Sequence, residues 1–195
     1  RTKRTNMNKL QHLLSRLGFG PSTKSWSKWT ALPEASWWPK LKDDSQPAPD
    51  YFDVADSAVK GLLMGIGEIG KMERKDLDQA EKKQVRQQSR EDLRNLNLLW
   101  LEEMTHTKAQ LREKMALFWH GHFATSAAKV SDPQLMYAQN QLLRTHALGS
   151  FERLVQGIAR DPAMLIYLDS VTNRKTHPNE NFAREVMELF SLGIG

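Results

Sequence analysis

Hydrophobic positions along this chain recur at helical spacing, and no segment shows a convincing strand alternation. Leu10, Leu13, Leu14 and Leu17 mark one face of a helix over 8–17, which Gly18-Phe-Gly-Pro21 stops. Val54, Ala58, Leu62, Leu63 and Ile66 suggest a short helix over 53–69. A long helical stretch follows from Glu73 to Met104. Its first part, 73–90, is charged and Gln-rich and is expected in solvent, whereas Leu93, Leu96, Trp100 and Met104 give the second part a packing face. From residue 107 the helical pattern is clean. Leu111, Met115, Phe118 and Trp119 predict a buried stripe, and Asp132-Pro133 and Asp161-Pro162 are N-caps with proline at the first helical position. Gly149 and Gly193 suit helix C-termini.

These elements predict an all-α fold, an irregular multi-helix bundle whose motif-bearing helical core spans 107–195. The exception is 22–50, where Trp26, Trp29, Trp37 and Trp38 alternate with Pro33, Pro39, Pro47 and Pro49. Its prolines predict a long irregular Trp/Pro-rich loop, pinned over the body by its indoles. Residues 1–195 are read as a single helical domain or as the N-terminal part of a larger one. No apolar run is long enough to span a bilayer.

Charge changes this picture little. The net charge is +5, yet seven of the 28 basic residues precede the first acid, Glu34, and the other 21 face 23 acids. The basicity therefore lies in an N-terminal segment led by a basic arm, 1–9, on a nearly neutral body. A solvated terminus is its plainer reading, and nucleic acid is not expected as a partner. The absence of cysteine excludes disulfides, thiolate metal sites and a thiol nucleophile.

Two motifs could carry chemistry. His120-Gly-His122 presents two imidazoles that converge only if the helix breaks at Gly121; on a continuous helix they diverge by about 200°. His122 also continues the apolar stripe, so a hydrogen-bonded core histidine competes with the ligand reading. In the final helix, Glu180, Asn181, Arg184, Glu185, Glu188 and Ser191 share a polar arc of about 140°. Glu185 and Glu188 are spaced as paired carboxylates, while Glu180, Arg184 and Glu188 also fit an exposed ion-pair ladder. The candidate metal ligands are His120, His122, Glu185 and Glu188. Around them Arg184, Asn181, Asn140, Arg144, His146 and Glu180 are candidates for an orienting polar network. Asp169, Asn173 and Asn179 could ligate a hard cation, but turn chemistry is the commoner use of such a loop. No Gly-flanked serine elbow or phosphate-binding glycine loop is present.

Several segments succeed one another in a distinctive order: His12-Leu-Leu-Ser-Arg-Leu-Gly-Phe-Gly-Pro21, Leu111 to Thr125 with its Phe-Trp-His-Gly-His-Phe centre, His146-Ala-Leu-Gly149, Asp161 to Asp169, and Pro178-Asn-Glu-Asn-Phe-Ala-Arg-Glu-Val-Met-Glu-Leu-Phe-Ser-Leu-Gly193. This succession resembles the bacterial domain-of-unknown-function family 1800. The resemblance implies a larger, mainly helical, exported protein, periplasmic or at the cell surface, of which this chain is the N-terminal part. It supplies no established catalytic residue, but it ties the two motifs together. The resulting expectation is a buried polar or metal-binding site between the His120–His122 turn and the 179–193 helix. A divalent metal there would serve a metal-dependent hydrolase or oxidoreductase. The alternative is a non-enzymatic cell-surface or assembly module with a protein or polysaccharide partner, in which the same residues form a structural network.

Overall fold

The computed structural model describes residues 2–52, 78–130, 132–191 and 193, and in them the chain is all-α. The helix expected over 53–69 and the start of the charged stretch, 73–77, lie outside the described residues. The α-helices are α1 (Thr2–Leu17), α2 (Thr23–Thr30), α3 (Trp37–Asp43), α4 (Gln79–His106), α5 (Gln110–His122), α6 (Ala127–Val130), α7 (Pro133–His146), α8 (Phe151–Ile158), α9 (Pro162–Tyr167) and α10 (Asn181–Glu188), with 3₁₀ turns at Glu34–Ser36 and Ser170–Thr172. No described helix is long and apolar enough to cross a membrane. The expected N-caps form: Asp132 Oδ1 accepts from Gln134 N–H at 2.9 Å and Asp161 Oδ2 from Met164 N–H at 2.9 Å.

α5 and α7 are the spine. α4, α1 and α3 pack on α5, while α4 and α8 pack on α7. Three apolar clusters surround this pair. Leu10, Leu14, Trp37, Leu41 and Leu111 join α1, α3 and α5. Trp100, Met104, Ala116 and Ala147 lie between α4, α5 and the end of α7. Phe123, Leu143, Leu154, Ile158, Met164 and Phe190 close the C-terminal side.

Two expectations need correcting. Segment 22–50 is mostly helical, because its prolines stand where a helix tolerates them. Ser22 caps α2, its Oγ accepting from Ser25 N–H at 3.1 Å. Pro33 precedes the 3₁₀ turn, and Pro39 is the third residue of α3, in the first turn where an N–H has no helical partner to lose. The longest irregular stretch of this segment is the one around Pro47 and Pro49. Trp37 is buried and its indole N–H donates to Leu32 O at 3.3 Å, whereas Trp38 is half exposed. The stripe on α5 is also rotated. Phe118 is 55 % exposed, and the buried residues of the helix are Leu111, Arg112, Glu113 and Ala116.

The Gly18-Phe-Gly-Pro21 turn is fixed by one side chain. Gln110 Oε1 accepts from Phe19 N–H at 3.0 Å, while its Nε2 donates to Met104 O at 3.1 Å and Thr107 O at 2.9 Å. One amide thereby ties the end of α1 to the α4–α5 corner. Gly18 fits closely there, since a Cβ would sit 3.0 Å from Gln110 Cβ and 3.1 Å from Leu14 O. Gly20 adopts φ 90°, which favours glycine.

Candidate functional site

The densest polar arrangement lies in the α4–α5–α7 interior. Glu113 is fully buried on α5, one turn from Ala109 and Ala116, which let the neighbouring helices approach. Its Oε2 accepts from Trp100 Nε1 and Arg144 Nε, each at 2.9 Å; its Oε1 accepts from Arg112 Nε at 2.9 Å and Arg144 Nη2 at 3.2 Å. Glu103 Oε1 stands 3.7 Å from Arg112 and 3.8 Å from Arg144. Two guanidiniums thus meet two carboxylates, a balanced cluster in which every atom of the buried carboxylate is bonded. Such balance is what burial of charge requires.

The cluster also holds the irregular strap over 47–52. Prolines lack an N–H, so Pro47 and Pro49 offer the strap's neighbours carbonyls rather than donors. Arg112 Nη1 donates to Pro47 O, Arg144 Nη1 to Asp50 O, and Gln141 Nε2 to Pro49 O at 3.1 Å. Phe52 covers the Arg144 guanidinium, with its ring centroid 4.0 Å from Cζ. A second buried network runs from Gln139 Nε2 to Asp161 Oδ2 at 2.9 Å, with Thr125 donating to Gln139 Oε1. Burial pushes the Asp161 carboxyl above its usual range, against the opposing hydrogen bonds from Met164, Gln139 and Ala163.

The two sequence motifs meet differently. α5 runs without a break through Gly121 to His122, so the condition for convergent imidazoles is not met. His120 turns toward α4, edge-on to Trp100 at 5.4 Å between centroids, and burial holds its pKa below the ordinary value. His122 lies among Phe118, Trp119, Phe123 and Phe190 and contacts Phe190 O through Nε2 at 2.9 Å. A carbonyl only accepts, so Nε2 carries a proton and donates. The C-terminal end of α5 is thereby latched to the chain just beyond α10 through a backbone carbonyl.

The polar arc of α10 lies mostly in solvent. Glu180, Arg184 and Glu188 are exposed, and Glu185 is partly covered. Arg184 does not form the expected ladder. Its Nη2 donates to Asn181 Oδ1 at 3.1 Å and lies 3.8 Å from Glu185 Oε1. Asn181 Nδ2 reaches Leu168 O at 3.5 Å. The apolar face (Phe182, Val186 and Phe190) packs on the C-terminal cluster. Among the described residues, no three His, Asp or Glu side chains gather closely enough to hold a metal ion. In the 168–179 loop the side chains close the turn on themselves, with Asn173 Oδ1 accepting from Asn179 N–H at 3.1 Å and Asn179 Nδ2 donating to Asp169 O at 3.0 Å. Of the other candidates, Arg144 joins the buried cluster, Asn140 is buried beside it on α7, and His146 is half-buried at the end of that helix. Sequence reasoning passed over Glu113, Arg112 and Glu103. The signal for Glu113 was its framing by Ala109 and Ala116 one turn away on either side.

In its described residues the molecule is therefore an all-α bundle organised about a buried ion cluster, with His122 at the end of α5 latched to the chain just after α10. The family model described as "Protein of unknown function (DUF1800)" matches residues 12–195, and the chain belongs to that family. No curated protein and no solved structure matches it at a significant level.

Proposed function

We propose that this chain is a non-enzymatic interaction module of the cell-surface or assembly kind, in which the motif residues hold helices together. The observation that carries this reading is the use made of His122. Its Nε2 is committed to Phe190 O, while Glu188 stands in solvent and Glu185 is set against Arg184. A divalent metal serving hydrolysis or oxidation would need His120 and His122 to converge, and a continuous helix keeps them about 200° apart. The same end of the molecule exposes Phe118 and Phe151, which reach one another through Trp119 with centroid distances of 4.9 and 5.8 Å. Aromatic groups of this kind are enriched in protein contact faces, which favours a protein partner. An exported location, implied by the family resemblance, accords with such a role.

Elemental analysis of the purified chain tests the proposal. It predicts no stoichiometric metal and a loss of about 1–3 kcal/mol of stability in His122→Ala, the magnitude for an abandoned buried acceptor. One equivalent of divalent metal, lost when His120 and His122 are both replaced by Ala, would overturn it in favour of the metal-centre reading.

A further inference from the structure

A cavity of about 390 Å³ opens between the Gly18-Phe-Gly-Pro21 turn, α2, α3 and the α4–α5 corner. That volume falls in the range of about 300–1,000 Å³ typical of small-molecule sites. Its described lining is one-sided in charge: Lys24, Lys28, Lys40 and Lys108 against a single acid, Asp44. Lys40 takes that acid, reaching Oδ2 at 2.9 Å and Oδ1 at 3.2 Å. Nearby, Lys9 is paired with Glu34 at 3.0 Å. Lys24, Lys28 and Lys108 differ from these two, having no ion pair among the described residues. Three ammonium groups around one concavity, unpaired among the described residues, repel each other and raise its positive potential, and an anion relieves both effects. The frame beneath them is rigid, because Gln110 lines the cavity while anchoring Phe19, Met104 and Thr107.

We propose that this cavity binds a small, multiply charged anion of about sugar-phosphate size, held by Lys24, Lys28 and Lys108. Its described lining holds lysines and no arginine, so recognition there rests on ammonium point charges rather than a planar fork. That chemistry suits a phosphate ester or a polycarboxylate. It also gives a role to two of the basic residues that the sequence concentrates before Glu34. The site lies apart from the histidine latch and stands or falls independently of the role proposed for it.

Titration calorimetry of the whole chain at low ionic strength, with inorganic pyrophosphate and citrate as separate probes, tests this. The expected result is saturable one-to-one binding of at least one probe. Binding of pyrophosphate alone marks a phosphate ligand, citrate alone a polycarboxylate, and both a site that reads charge. The triple variant K24M/K28M/K108M is expected to weaken binding by at least about tenfold, and K24R/K28R/K108R to retain it. The control K83M/R153M/K175M removes the same charge from exposed positions elsewhere and is expected to bind as the parent does. Absence of saturable binding by either probe, or equal weakening in the control and the lysine triple, would overturn the proposal.

Discussion

Helices α7 and α10 carry similar polar spacing and place it in opposite environments. On α7, Asn140 and Arg144 stand one turn apart beside Leu143, and Arg144 is wholly buried. On α10, Glu180, Arg184 and Glu188 stand at the same interval beside Phe182 and Val186, and the Arg184 side chain is 49 % exposed. The difference lies in the facing helix. α7 meets a carboxylate, Glu113, already held by Trp100 and Arg112. The polar side of α10 meets solvent. A helix's own periodicity says which residues share a side, and the partner's chemistry decides whether charge can be buried there.

That comparison can be broken in graded steps. Glu113→Gln leaves two buried guanidiniums without their main acceptor and is expected to cost about 3–5 kcal/mol in denaturant unfolding. A loss below about 1 kcal/mol would place the cluster in solvent. Gln110→Ala abandons three backbone partners at the α1 end and the α4–α5 corner and is expected to cost about 1–3 kcal/mol in the same assay. Two titratable groups, His120 and Asp161, should respond to pH with opposite signs. His120 has a lowered folded pKa, so its contribution is present above its unfolded value of 6.5 and is lost as pH falls toward the folded one. Asp161 has a raised folded pKa, so its contribution is full below 3.8 and is lost as pH rises through the folded value. Stability-versus-pH curves for His120→Gln and Asp161→Asn should each lack one of these slopes; an unchanged slope in either variant refutes that assignment. Glu188→Gln, on the exposed arc, is expected to change stability by no more than about 0.5 kcal/mol.

The helices and their caps were legible because both are local. Asp132-Pro133 and Asp161-Pro162 act within their own first turns, and the Leu10–Leu14 face follows from spacing alone. Segment 22–50 departs from the irregular loop its prolines suggest because proline breaks a helix only in its interior, and Pro39 falls in a first turn. The buried cluster was missed for a different reason. Glu113 and Arg144 are 31 residues apart, and nothing in either helix's pattern encodes the other. The pairing of the two family motifs held only as proximity: His122 reaches the end of α10 through a backbone carbonyl, which no side-chain spacing reveals. The rotation of α5 that exposes Phe118 likewise depends on which helices flank it.

A double-mutant cycle on Glu113→Gln and Arg144→Met tests most directly the claim that the interior charges bind helices together as one unit. With α5 and α7 joined through this pair, the two losses should overlap, and the coupling energy from denaturant unfolding should exceed about 2 kcal/mol. Additive losses, agreeing within about 0.5 kcal/mol, would mean that the two side chains do not stabilise each other. That result would contradict the account at its centre.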